Sequence, residues 1–219
     1  MVLGQLAAGL AHQIRNPLAA IANAIAIARR QTTEANPRVQ EALRIANDEI
    51  WEANRIIGDL LEFARIRPPR QAAIDLGELV ISALEAEPRP ASIRVTTEIP
   101  TISVLVDERQ VRDALRNLLR NAREAIAEDG AIHLKASIVG NEAELTIQDT
   151  GEGIAKEYRH LLFEPLITSK PLGLGLGLPT ARALVMSQGG SLECQESRQS
   201  GACFTMRLPL TPGSNSTPC

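Results

Sequence analysis

Pro68 and Pro69 divide the chain between two incompatible hydrophobic rhythms, so no single layer of structure can hold both sides. Upstream, the large apolar residues Leu3, Leu6, Leu10, Ile14, Leu18, Ile21 and Ile25 recur at steps of three and four, the stripe of a long helix running to Arg30. A second helix is expected from Asn36-Pro37 to Arg67, with Leu43, Ala46, Ile50, Ala53, Ile57, Leu60 and Ala64 at near-heptad spacing. Two helices joined by a short loop make a hairpin. One hairpin encloses too little surface to be stable alone, so two copies are expected to pair as a four-helix bundle, a homodimer.

Beyond the prolines the spacing shortens. Alternating or β-branched runs at Ile93–Ile99, Ile102–Val106, Ala131–Val139, Glu142–Gln148, Ser191–Gln195 and Ala202–Leu208 read as strands. Leu76–Ala86, Glu108–Ala127 and Pro179–Gln188 read as helices, and Gly140-Asn141 as a hairpin turn. The expected fold class is α+β: residues 1–67 as a helical hairpin, 71–210 as an α/β sandwich, and 211–219 as a disordered tail.

Composition removes several classes of function. The formal charge of −3, from 26 acidic and 23 basic residues, lacks the positive field of a nucleic-acid binder. Aromatic residues are only 2%, too few for base-stacking platforms. The longest nearly apolar stretch, Leu18–Ala28, is shorter than the ~20 residues that span a bilayer and is interrupted by Asn23, and Met1 is followed by Val2-Leu3-Gly4 with no basic n-region of a secretory signal. Cys194, Cys203 and Cys219 are odd in number and lack CxxC spacing, which fits a reducing cytoplasm.

On the first helix, at ~100° per residue, His12 falls about 180° from the apolar stripe. It therefore points away from the core, among the small residues Ala8, Gly9, Ala19 and Asn23, with Asn16 one turn on. Taken alone, this is a surface histidine. Its surroundings, HQIRNPL over residues 12–18, resemble the H-box of sensor histidine kinases, in which the histidine is phosphorylated on a ring nitrogen. The resemblance gives His12 that role. Gln13 stands where the family has Glu or Asp; it still accepts a hydrogen bond from a ring N–H but does not neutralise imidazolium, a loss of roughly 1–3 kcal/mol that implies slower phosphorylation. Asn16 matches the position that aligns water for dephosphorylating a partner's aspartyl phosphate.

Four further segments follow in the family's order. Asn117 and Asn121 share one flank of a helix, where amide oxygens suit a hard cation beside phosphates. Alone, such a pair reads as surface amides. The string NLLRNAREAI, residues 117–126, resembles the N-box, which makes Asn121 the Mg²⁺ ligand and puts Glu124 where many members carry Lys. DTGEGI, residues 149–154, is ordinary turn chemistry by itself and resembles the G1-box; Asp149 would then accept from the adenine amine, with Gly151 and Gly153 allowing close approach. Phe163-Glu164-Pro165 with Thr168-Ser169-Lys170 resembles the F-box, and Lys170 is a candidate phosphate contact. GLGLGLP, residues 173–179, is either a flexible linker or the G2-box, with Gly173, Gly175 and Gly177 freeing amides to face phosphates.

Order and spacing decide for the resemblance, which covers the chain to Leu210. It implies an ATP- and Mg²⁺-dependent protein histidine kinase that phosphorylates His12 and passes the phosphoryl group to a response-regulator aspartate. Three alternatives stay open: a gyrase-type ATP hydrolase, a nucleotide-binding dimeric adaptor, and a phosphatase-biased homologue using Asn16.

Overall fold

The computed structural model describes residues 14, 18–30, 37–64, 66–87, 90–168, 175–195 and 201–212. The chain divides into two compact units, one of Met1–Ile66 with Thr168–Leu176 and the other of Arg67–Ile167 with Gly177–Cys219. In the first, residues 18–30 (α1) and Pro37–Ala64 (α2) are helical. Ile25 on α1 and Ile50 and Ile57 on α2 are buried, as the stripe requires. Ile21 and Ile45 remain half exposed, at 50% and 49%, so a single chain does not cover every apolar position of its helices. Ala19 and Asn23, expected to share the face of His12, are exposed. Among the described residues, no helix is long and apolar enough to cross a membrane.

The second unit is an α/β sandwich. Its strands are β1 (Ala72–Asp75), β2 (Ile93–Glu98), β3 (Ser103–Val106), β4 (Gly130–Val139), β5 (Glu142–Asp149), β6 (Ser191–Gln195) and β7 (Cys203–Pro209). The helices are α3 (Leu76–Ala86), α4 (Glu108–Ala125) and α5 (Gly177–Ser187). Five strands form one sheet in the order β2-β4-β5-β7-β6; β2 and β4 run parallel and the other neighbours antiparallel. Strand alternation sends Ile132, Leu134, Ala143, Leu145, Ile147, Phe204, Met206 and Leu208 to the buried face. α4 and α5 pack over that sheet with Leu115, Leu118 and Val185 buried, and α3 packs against α4 and β1 with Leu79 and Val80 buried. Gly140-Asn141 makes the two-residue turn between Val139 and Glu142, with Gly140 at φ +62.

Two elements go beyond the sequence reading. β1 pairs antiparallel with β3 in a separate two-stranded sheet, and Lys156–Leu161 forms a 3₁₀ turn. β1 is reached by a linker that hydrogen bonds fasten to this unit. Gln110 Nε2 donates to the Arg67 carbonyl at 2.9 Å, the Arg70 amide to Asp107 Oδ2 at 2.8 Å, and Gln71 Nε2 to the Gln188 carbonyl at 3.1 Å. Buried Gln188 also accepts from the Asp107 amide at 2.8 Å, so the linker, the start of α4 and the end of α5 share one network. Past Leu210, Thr211 still donates its amide to the Ser103 carbonyl at 3.0 Å, so hydrogen bonding continues one residue into the segment expected to be tail.

Candidate functional site

α4 carries the first corner of the site. Its stripe of Val111, Ala114, Leu115, Leu118 and Ala122 is buried, and Asp107 caps its start by accepting from the Gln110 amide. Asn117 is only 5% exposed, set deeper than the groove edge the helical spacing implied. Arg120, one turn on, donates from Nη2 to Asn117 Oδ1 at 2.6 Å. That bond orients the amide, its oxygen toward the guanidinium and its NH₂ group away from it. Asn121 is half-buried on the same flank. Gly177, the first residue of α5, lies alongside; a Cβ there would stand 3.6 Å from both Asn117 Oδ1 and Arg120 Nη2.

The second corner is built around Asp149 at the end of β5. The residue is buried, and its Oδ1 accepts two backbone bonds, from Gly151 at 2.9 Å and from Ala202 at 3.1 Å. Its own amide donates to the Ala202 carbonyl at 3.0 Å. Gly151 presses on the end of α4, where a Cβ would lie 2.4 Å from the Ala125 carbonyl oxygen; the Glu152 amide donates to that same oxygen. Gly153, at φ +77, packs beside Gly201. Gly201 itself closes over Asp149 so tightly that a Cβ would fall 1.9 Å from the Asp149 carbonyl oxygen.

α4 joins the two corners. From Asn117 to Ala125 is eight residues, about 12 Å along the axis. The structure thus brings Asn117, Asn121 and Gly177 to one region and Asp149, Gly151 and Gly153 to another, both bordered by one helix. Gly175 adopts φ +65 within the other compact unit. His12, Gln13, Asn16, Lys170 and Gly173 lie outside the described residues. Phe163 is half-buried under Arg182 of α5, whose guanidinium carbon is 4.8 Å from the ring centroid, a cation–π contact. Glu124 is exposed. Sequence reasoning passed over Arg120 and Gly201. Arg120 reads as a solvated helix charge, and Gly201 is separated from Asp149 by too much chain for any local pattern to connect them.

The thiols beside this corner are electrostatically marked. Burial first, then Cys203, pushes the Cys194 thiol up to about 11 from its usual 9.0, Asp149 adding to the effect. Cys203 is raised by burial and by Asp149. Between pH 9 and about 11 the unfolded chain ionises the Cys194 thiol while the folded one keeps its proton, so folding stability falls as pH rises across that window. Urea unfolding of the wild type and of Cys194→Ala at about pH 8 and pH 10.5 checks this. The variant is expected to lose less stability over the interval, and an equal loss in both proteins would contradict the assignment.

The residues match two family models. Residues 2–69, a span containing His12, match the His Kinase A phospho-acceptor domain, and residues 106–212 match the histidine kinase-, DNA gyrase B- and HSP90-like ATPase. The sensor histidine kinase ZraS of Escherichia coli is 31% identical over 96% of this chain and 46% of its own length. The chain therefore spans about half the length of the curated relatives it matches. Full-length ShkA, solved in complex with AMPPNP, superposes with a TM-score of 0.75 at 25% identity over 95% of this chain and 46% of that one. The histidine kinase ThkA, solved with the response regulator TrrA, gives a TM-score of 0.67 at 25% identity, over 97% of this chain and 63% of that one. Two domain models in the order the H-box to G2-box segments imply, a clamped aspartate at the end of a strand and relatives of this kind place the chain in the sensor histidine kinase family.

Proposed function

We propose that the chain is the catalytic core of an ATP-dependent protein histidine kinase of a two-component system. Residues 1–67 serve as the dimerisation and phosphotransfer hairpin, two copies forming a four-helix bundle, and residues 71–210 bind ATP in the cytoplasm. The observation that carries this reading is the pair of corners along α4: a buried carboxylate held by two amides near the end of the helix, and an oriented amide beside the start of α5, eight residues back along α4 from Ala125. Adenine fits the first and a phosphate chain the second.

In this reading Asp149 accepts from the adenine amine, and Gly151 and Gly153 let the base approach the backbone. Asn117 donates to phosphate, while Gly173, Gly175 and Gly177 with Lys170 line the triphosphate. The Asn121 amide oxygen suits Mg²⁺, a hard cation satisfied by one neutral protein oxygen when phosphates and water complete its shell. Bound there, the ion would neutralise phosphate charge. His12 attacks the γ-phosphorus through its unprotonated ring nitrogen; the bond to the β-bridging oxygen breaks, ADP leaves, and the ring sheds a proton to solvent. Gln13 fixes the tautomer by accepting from the other ring N–H. A response-regulator aspartate then takes the phosphoryl group, breaking the P–N bond, and Asn16 aligns water when that aspartyl phosphate is hydrolysed.

The environment of Asn117 favours transfer to His12 over simple hydrolysis. A gyrase-type hydrolase uses a carboxylate base at this place, and an amide whose oxygen already accepts from Arg120 takes no proton from water. Gln13 favours a second reading, an adaptor or phosphatase-biased homologue with weak kinase activity. Incubation with γ-labelled Mg-ATP separates them. The kinase reading expects acid-labile, base-stable label on the wild type and none on His12→Gln; label that persists in the variant, or ATP turnover with no protein-bound phosphate, overturns it. A silent wild type switched on by Gln13→Glu would establish the second reading.

A further inference from the structure

Glu124 puts an exposed negative charge in the N-box segment one turn beyond Asn121, where the proposed nucleotide site would favour a positive one. α4 carries arginines close by, but most are committed elsewhere. Arg112 pairs with Glu108 at 3.1 Å, Arg116 with Glu87 at 3.1 Å, and Arg123 reaches Glu87 at 3.9 Å and Glu124 at 4.0 Å, contacts along the side of α4 that meets the end of α3 or along the helix itself. Arg120, four residues beyond Arg116, reaches back along α4 to Asn117. It is half-buried against Asn117 and Gly177, with Nη2 at 2.6 Å from Asn117 Oδ1 and 3.6 Å from where a Gly177 Cβ would stand.

This position places a guanidinium at the first residue of α5, where helix amides and the helix dipole already favour an anion. A guanidinium has five donors in a planar fork, so a bond to Asn117 does not exhaust it. Asn117 and Arg120 then act as a pair. By engaging the amide oxygen, the arginine turns the Asn117 NH₂ toward the ligand while staying within reach of the same phosphates.

We propose that Arg120 contacts the phosphate chain of the bound nucleotide and supplies the positive charge that Glu124 withdraws from this site. The proposal rests on the nucleotide reading above and adds a phosphate-contacting residue that the family motif does not assign. Arg120 and Glu124 are four apart on one helix face, so a lysine at 124 would present its ammonium to the same corner.

Calorimetric titration of the full chain with Mg-ATP and, separately, with adenosine tests this. Arg120→Ala is expected to lose about 10- to 100-fold in affinity for Mg-ATP, the scale of one charge-assisted phosphate bond, with adenosine binding unchanged and the melting temperature lowered by only a few degrees, the effect of the Asn117 oxygen left without its donor. Adding Glu124→Lys to Arg120→Ala is expected to recover most of the loss. Unchanged ATP affinity in Arg120→Ala, an equal loss for ATP and adenosine, or a double variant as weak as the single one would each overturn the proposal. A wild type that bound neither ligand would instead refute the nucleotide reading, and Arg120's assignment with it.

Discussion

Gly201→Ala is expected to destabilise the ATP-binding unit by about 3–5 kcal/mol and to lower its melting temperature by roughly 10–15 °C. An added Cβ would stand 1.9 Å from the Asp149 carbonyl oxygen and 2.6 Å from its carbon, both backbone atoms of a central strand with little room to move. Relief would require separating β5 from the start of β7, which breaks the 3.0 Å bond from the Asp149 amide to the Ala202 carbonyl and the 3.1 Å bond from the Ala202 amide to Asp149 Oδ1. Gly201 also sits at φ +97, where side chains are rare. Gly189 separates the two causes. It too has a positive φ, +84, yet nothing lies within 4 Å of the point a Cβ would occupy, so Gly189→Ala is expected to lose only about 1 kcal/mol. Thermal melts of both variants decide the matter, and a Gly201→Ala melt within a few degrees of the wild type would show that the clamp yields.

Asp149 is the position where fold and binding come apart. In Asp149→Asn the remaining oxygen still accepts from Gly151 and Ala202, so the corner keeps its shape. The second oxygen becomes an NH₂ group, which in the proposed site would be a donor facing the adenine amine, also a donor. The variant is expected to fold normally and to lose at least about 100-fold in ATP affinity, the combined effect of a lost charged acceptor and a donor–donor clash in a buried site. Asp149→Ala removes the acceptor altogether, leaving the buried Ala202 amide and the half-buried Gly151 amide without their partner, at about 2–5 kcal/mol of stability. Denaturant titration beside nucleotide binding distinguishes the variants. An Asp149→Asn protein with wild-type affinity would remove this residue from the adenine site.

Much of the second unit was readable from alternation. β4 and β5 each bury one face, so Ile132, Leu134, Leu145 and Ile147 mark their own strands, and Gly140-Asn141 marks the turn between them. β1 is different. Its four residues, Ala72–Asp75, are half-buried at most and carry no alternation; they become a strand because β3 offers a partner at Ala72↔Val106 through Asp75↔Ser103. The linker contacts of Arg67, Arg70 and Gln71 are likewise made with residues far along the chain, Gln110, Asp107 and Gln188.

The site divides along the same line. Local residue order singles out the amides, glycines and carboxylate proposed for it, because backbone freedom at glycine and the four-residue repeat of a helix act within one turn of chain. The division of labour on α4 came from packing. Asn117 and Asn121 share one flank by helical spacing, and burial together with the Arg120 bond at 2.6 Å sets Asn117 apart. Gly201 meets Asp149 because β7 lies beside β5, a neighbour relation that exists only after the sheet has formed. Periodicity is a property of adjacent residues and survives in the sequence; close contact between distant backbones is decided by the folded core.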